Sequence, residues 1–257
     1  MGRTSTGLIL WQWRRLRVAL RIFLAGAGGA IGRRLTPLLR ATGYQVTGTT
    51  RSADKVAALR AMGAEPVVVD VFDADALKRA VVAAKPDAII HQLTDLAFPP
   101  SSPHYQEGLA RNGRLRIEGT RNLVEAAREA DVRRMVGQSI AFIYAVGDGA
   151  RVESDPLSHE AAMAGTIDAV RALESAVLGL PEGIVLRYGY FYGPGTWSPD
   201  QPTRRPALHI DAAAQAALLA LEKAQPGIYN VAENDPTLSS EKARRAFGFD
   251  ASFRVQD

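Results

Sequence analysis

The chain has no cysteine among its 257 residues, which excludes disulfides, thiolate nucleophiles and cysteine-ligated zinc or iron–sulfur centres and fits a reducing, cytoplasmic setting. It has no apolar run near the roughly 20 residues that span a bilayer. Its four histidines, His91, His104, His159 and His209, show no metal-ligand spacing, so no metal is expected. Acidic side chains are missing from residues 1–20, which hold Arg3, Arg14, Arg15 and Arg17. Those four arginines account for the whole net charge of +4, since without them the 31 basic side chains equal the 27 acidic ones. A neutral body offers no basic face for phosphates, and no nucleic-acid partner is expected. The apolar stretch at 8–13 is too short for a secretory core and runs into arginines, so residues 1–20 read as a flexible extension. A membrane- or DNA-binding role would rest on that leader alone.

What is present is an alternation of β-rich runs with amphipathic helical stretches, the pattern of a parallel sheet covered on both faces. Strands are expected at 21–25, 45–50, 65–70, 87–92, 134–139 and 183–188, with helices near 30–42, 53–62, 74–84, 105–129 and 158–179. After Tyr188 the sequence turns to Gly, Pro and aromatic residues, followed by a helix at 211–224, a strand at 228–231 and a last helix near 239–247. The expected organisation is a doubly wound α/β domain over 21–195 with a small, interwoven C-terminal lobe over 196–257. Right-handed crossovers place the carboxyl ends of all the strands along one edge, where ligands bind.

Directly after the first strand comes Gly26-Ala27-Gly28-Gly29-Ala30-Ile31-Gly32, and then a helix opens. Glycines let the backbone approach a pyrophosphate, and the helix N-terminus supplies unpaired N–H groups and the positive end of a dipole. The spacing that fits is G-x-x-G-x-x-G on Gly26, Gly29 and Gly32, because the third glycine of G-x-G-x-x-G would fall at Ile31. At the end of the second strand an NAD binder places a carboxylate on the ribose 2′-hydroxyl. This chain has Thr50, Arg51 and Ser52 there, which suit a 2′-phosphate, with Arg33 or Arg34 able to assist. The expected cofactor is NADP, ahead of NAD.

The segments AGAGGAIG at 25–32, DVFD at 70–73, IIHQLT at 89–94, EGTRNLVEAA at 118–127, QSIAFIYA at 138–145 and LRYGYFYGPG at 186–195 resemble the extended and atypical short-chain dehydrogenases/reductases, the epimerase/dehydratase branch. The resemblance implies a Rossmann fold binding NAD(P), with Asp70 and Val71 bordering the adenine. It implies further that Gln92, Leu93 and Thr94 line the ribose and nicotinamide side, and that the backbone from Tyr188 to Tyr190 faces the carboxamide. It also implies pairing of two copies through the helices near 105–129 and 158–179. The family's catalytic tyrosine and lysine fall at Thr166 and Val170, its serine at Ile140 with Ser139 one residue earlier, and its helix asparagine at Arg116, one turn after Asn112. Ser139 is the remaining catalytic candidate, to orient a carbonyl, with Tyr188, Tyr190 or Tyr192 as a proton source. Only the stretch 196–207 stands where relatives carry a longer substrate segment, so the acceptor pocket is expected to be thinly covered. The expected function is NADP(H)-dependent oxidoreduction, or an epimerase/dehydratase-like reaction, on a small carbonyl or alcohol. The alternative is a non-catalytic NAD(P)-binding sensor or regulatory protein.

Overall fold

A computed structural model describes residues 19–96 and 98–255. The first eighteen positions, which make up most of the expected flexible extension, lie outside the described residues. Seven parallel strands form the central sheet: β1 (Arg21–Ala25), β2 (Gln45–Thr50), β3 (Glu65–Val68), β4 (Ala88–His91), β5 (Arg134–Ile140), β6 (Glu182–Tyr188) and β9 (Gly227–Val231), in the order β3-β2-β1-β4-β5-β6-β9. The order reverses between β1 and β4, which makes the crevice above their carboxyl ends the place for a ligand. A short parallel pair, β7 (Tyr190–Tyr192) and β8 (Ala207–His209), stands beyond the end of β6. The expected α/β fold is the fold observed. The C-terminal segment adds β9 to the main sheet itself.

Strand side chains alternate between two apolar layers. One face carries Ile22, Leu24, Ile90, Val136 and Leu186 and is covered by α1 (Ala30–Ala41) and α7 (Ile210–Lys223). The alanines of α7 let Leu35 and Leu39 of α1 pack close to it, so α7 is buried on nearly every side. The other face carries Phe23, Ile89, Met135 and Val185 under α3 (Ala74–Ala84), α5 (Thr120–Glu129) and α6 (Ala164–Leu178). The helix between them, α4 (Tyr105–Arg114), joins α5 through a π-helical turn at Leu115–Gly119 that the sequence pattern read as one continuous helix. The remaining helices are α2 (Val56–Ala61), entered through a 3₁₀ turn at Ala53–Lys55, and α8 (Glu241–Phe247). No helix among the described residues is long and apolar enough to cross a membrane.

Two arginines tie the layers together. Arg134 ends α7 by donating to the carbonyls of Leu221 at 2.6 Å and Ala224 at 2.9 Å, a cation at the negative end of a helix. Arg187 lies between Ser139 and Asn230 in the register of β5, β6 and β9, so the three share one face of the sheet. Glu174 of α6 closes over that row. Arg187 donates to both of its oxygens, at 2.8 and 2.6 Å, and to the Tyr144 hydroxyl at 2.8 Å. Tyr144 in turn donates to Asn230 Oδ1 at 2.6 Å. Both charges of this pair are buried, at 5% and 7% side-chain exposure, so removing one leaves the other without compensation. Glu174→Gln is therefore expected to lower folding stability by about 3 kcal/mol. Urea unfolding of the two proteins at neutral pH measures it, and a loss below about 1 kcal/mol would show that the pair does not brace the sheet.

Candidate functional site

The 26–32 loop turns from β1 into α1 within two contacts that no side chain can enter. Gly26 has φ +92°, and a Cβ on it would stand 2.8 Å from the Gln92 carbonyl carbon. A Cβ on Gly32 would overlap the Gly26 oxygen and lie 2.6 Å from Ala27 Cα. Gly26 N–H donates to Thr49 Oγ1 at 3.1 Å, and Gly29 N–H to the Gly26 carbonyl at 3.0 Å. Gly29 then caps α1 without a side chain, and no acid stands in the first turn. The N–H groups around Ala30, Ile31 and Gly32 thus keep the unpaired, positive character of a helix start. Gly28 differs from its neighbours: a Cβ there would meet only Lys55 Cδ, at 3.8 Å. No contact within the protein requires that glycine, and the space beside it admits the close approach of a phosphate. The buried side chain of Gln92, beside Gly26, has neither amide oxygen nor amide nitrogen satisfied within the protein. Open amides on the loop and an unsatisfied amide beside it fit a dinucleotide.

Three cations flank the loop. Arg33 Nε donates to the Gly28 carbonyl at 2.9 Å, Lys55 adjoins Gly28, and Arg51 ends β2 more than half exposed. Arg34, the other arginine considered for this role, instead pairs with the buried Asp211 at 3.3 Å. An acid that the residues after β2 do not show stands beside Arg51. Asp95, from the segment after β4, approaches Arg51 at 3.6 Å and Arg111 at 3.5 Å, and Ser52 Oγ is held by Asp54. Local sequence could not show Asp95 there, because it arrives from a different crossover. Thr50 uses its hydroxyl to accept from Ser52 N–H at 3.1 Å and so shapes the turn. Asp70 is exposed and accepts from Phe72 N–H at 3.0 Å, while the Val71 carbonyl accepts from Asn122 at 2.9 Å, fixing this pair at the rim.

The segment leaving β4 is clamped by a histidine that sequence reading did not assign. His91 Nδ1 accepts from Leu93 N–H at 3.3 Å and its Nε2 meets Thr120 Oγ1 at 2.9 Å, so both ring nitrogens are used by a neutral ring. Leu93 packs against the core, Thr94 is exposed, and Asp95 N–H donates to Asn112 Oδ1 at 2.9 Å.

The catalytic candidate changes character. Ser139 is 1% exposed, and its hydroxyl donates to Glu174 Oε1 at 2.7 Å, inside the Arg187 network. The proton it would offer a carbonyl is committed to an ion-paired carboxylate. Its neighbour Ile140 belongs to an apolar cluster with Ile143, Ile167 and Val170. The positions where a serine and a lysine would act are thus one hydrophobic contact, with the half-buried Thr166 at its edge. Arg116, on the π-helical turn, has no hydrogen bond or ion pair among the described residues, and burial lowers its guanidinium to about 10. Of the tyrosines, Tyr188 is fully buried and donates to the Ala213 carbonyl at 3.3 Å, and burial raises its phenol. Tyr192 is taken by Glu233 and Arg254. Tyr190 alone among these three stays at the acceptor side, its ring stacked 3.8 Å from Phe142.

A family model described as NAD(P)H-binding matches residues 26–178. A 3-diazoavenalumate denitrifying reductase from a Streptomyces species is 39% identical over 246 residues, covering 86% of this chain and 79% of the relative. Among solved structures, UDP-glucose 4-epimerase from Thermotoga maritima, with UDP-glucose, superposes with a TM-score of 0.72 at 18% identity, covering 91% of this chain and 94% of the epimerase. The Thermus thermophilus UDP-glucose 4-epimerase complex with NAD gives 0.72 at 19%, covering 92% and 95%. At such identities the epimerases share the fold.

Two outcomes follow from this geometry. Gly28→Ala is expected to leave the unfolding midpoint unchanged while weakening dinucleotide binding about tenfold or more, whereas Gly32→Ala lowers the midpoint itself. Calorimetric titration beside thermal unfolding separates the two. Burial, assisted by the Arg116 charge, holds the His91 pKa down at about 4 against 6.5. The unfolded chain therefore binds the extra proton first, and stability falls as pH drops from 6.5 toward 4. That contribution amounts to about 2 to 3 kcal/mol at pH 4.5, and His91→Gln is expected to remove it from the pH profile of urea unfolding.

Proposed function

The chain belongs to the NAD(P)H-binding family and has a Rossmann fold of the short-chain dehydrogenase/reductase type, and from that premise we propose that it is an NADPH-dependent reductase. Its acceptor requires hydride but no acid group from the protein. One observation carries this reading: the phosphate cradle keeps every glycine it needs, while Ile140 and Val170 turn the proton-transfer positions into an apolar contact. The residues that would hold the cofactor are Gly26, Gly28, Gly29 and Gly32 with the first-turn amides of α1 for the pyrophosphate, and Asp70 and Val71 for the adenine. Gln92, Leu93, Thr94 and the backbone from Tyr188 to Tyr190 follow on the nicotinamide side. Arg51, Ser52, Arg33 and Lys55 supply the charge and hydroxyl that a 2′-phosphate needs, with Asp95 neutralising part of it.

A reduced nicotinamide bound there supplies hydride. Reducing a carbonyl also requires a proton on the oxygen as the charge develops, the usual task of an activated tyrosine. An electron-poor nitrogen or carbon acceptor makes no such demand: a diazonium group that takes up hydride in place of N2 leaves a neutral C–H bond and free N2, with no proton moved. The Streptomyces relative is named a denitrifying reductase of a diazo compound, which supports this class over a simple ketone or sugar. The chain's own part is then to position the acceptor and exclude water. The buried cluster of Ile140, Ile143, Ile167 and Val170 keeps water out from below, and the half-buried rings of Phe142 and Tyr190 above it are available to position the acceptor. The second reading, a dinucleotide sensor without turnover, draws on the same loss of catalytic hydroxyls.

Fluorescence titration is expected to show tighter binding of NADPH than of NADH, with Arg51→Ala reducing NADPH affinity about tenfold and leaving NADH nearly unchanged. Equal loss for both nucleotides would refute the 2′-phosphate assignment. Ser139→Ala is expected to lower stability by about 1 kcal/mol with no change in NADPH oxidation rate on an arenediazonium acceptor. A rate loss at intact stability would return Ser139 to the chemistry, and NADPH binding without oxidation across diazonium, carbonyl and imine acceptors would favour the sensor.

A further inference from the structure

Beyond the absence of catalytic hydroxyls, the acceptor side carries a wall of aromatic rings. Phe142 follows β5 and joins the apolar cluster of Ile140 and Val170. Its ring lies parallel to that of Tyr190, 3.8 Å between centroids and 10° between planes. Tyr105, at the start of α4, meets Trp197 of the β7–β8 connection edge-on at 6.3 Å. Burial raises the Tyr190 phenol, the hydrogen-bonded Arg204 opposes that, and the Tyr105 phenol adds to it. Four rings from three distant stretches of chain thus converge above the carboxyl ends of β5 and β6. None belongs to the buried core: Phe142, Tyr190 and Tyr105 are half-buried, and Trp197 is 45% exposed. At the mouth, the exposed Arg204 lies 5.5 Å from the Tyr190 centroid and forms no ion pair with any described carboxylate.

These features select against the polyhydroxylated acceptors that this fold often serves. A sugar ring placed against Phe142, Tyr190 and Trp197 would lose water from its hydroxyls with few groups to hydrogen-bond them, at roughly 1 to 3 kcal/mol for each group. A flat, conjugated ring gains from the same surface through stacking and apolar contact. Arg204 is oriented by the Tyr190 hydroxyl and ring and has no carboxylate partner among the described residues, which suits it to an anion, since an arginine can hold a carboxylate in a bidentate grip.

We propose that the acceptor is a planar aromatic carboxylate, its ring lodged against Phe142, Tyr190 and Trp197 and its carboxylate paired with Arg204. The proposal rests on the reductase reading for the identity of the pocket, and its test reads binding without turnover. Cinnamate, methyl cinnamate and 3-cyclohexylpropanoate are titrated calorimetrically into the full chain saturated with NADP⁺. Cinnamate is expected to bind at least tenfold more tightly than either analogue. Arg204→Ala, an exposed position that leaves folding intact, abolishes the preference over the ester, and Arg204→Lys restores part of it. Trp197→Leu weakens cinnamate and leaves 3-cyclohexylpropanoate unchanged. Equal affinity for the three probes, or tighter binding of UDP-glucose than of cinnamate, overturns the proposal. If cinnamate fails while NADPH is oxidised by a non-aromatic acceptor, the reductase reading stands and the substrate class falls. If cinnamate binds as expected but NADPH does not bind, the class stands and the reductase reading falls.

Discussion

The ligand edge depends on two places where backbone meets backbone with no room for a methyl group. Gly26 lies against the Gln92–Leu93 peptide, and Gly32 lies against Gly26 and Ala27. The first contact fixes the exit of β4 relative to that of β1, and the second sets α1 on the turn so that its first amides face outward. Everything an anion would use follows from this approach: the open helix start, the space beside Gly28, and Arg33 folded back onto the Gly28 carbonyl. The rest of the site is hung from these contacts through His91, whose neutral ring holds the chain leaving β4.

On the other side of the crevice the same sheet serves stability. The row Ser139–Arg187–Asn230, closed by Glu174 and Tyr144, turns a stretch that reads as an active-site strand into a buried electrostatic brace. Both residues at the end of β5 are spent on α6: the Ser139 hydroxyl on Glu174, and the Ile140 side chain in the cluster with Ile167 and Val170. The sheet edge therefore combines an open, glycine-built helix start beyond β1 with a buried ion-pair network and an apolar cluster beyond β5.

Much of this was legible in the sequence because it is local. Strand and helix periods differ, the glycine spacing follows β1 directly, and Arg51 lies at a fixed place after β2, so the fold and the phosphate loop could be read residue by residue. What escaped was non-local or silent in the pattern. Asp95 reaches Arg51 across a crossover, and Lys55 reaches Gly28 from the turn before α2. The π-helical turn at Leu115–Gly119 keeps a helical period on both sides and leaves no break to detect. The β7–β8 pair joins three-residue stretches through a Gly- and Pro-rich connection, too short for alternation to register.

The apolar cluster of Ile140 and Val170 also bears on what these positions can be changed to. Restoring a serine and a lysine there would set a hydroxyl and an ammonium among Ile143 and Ile167, at a position where Val170 is 0% exposed. An unpaired buried ammonium costs several kcal/mol, a large share of the margin that keeps a domain folded. Either substitution alone would cost stability before it could serve any chemistry. The cluster thus limits redesign: acid–base groups can be set at 140 and 170 only if the strand and the helix around them are rebuilt together.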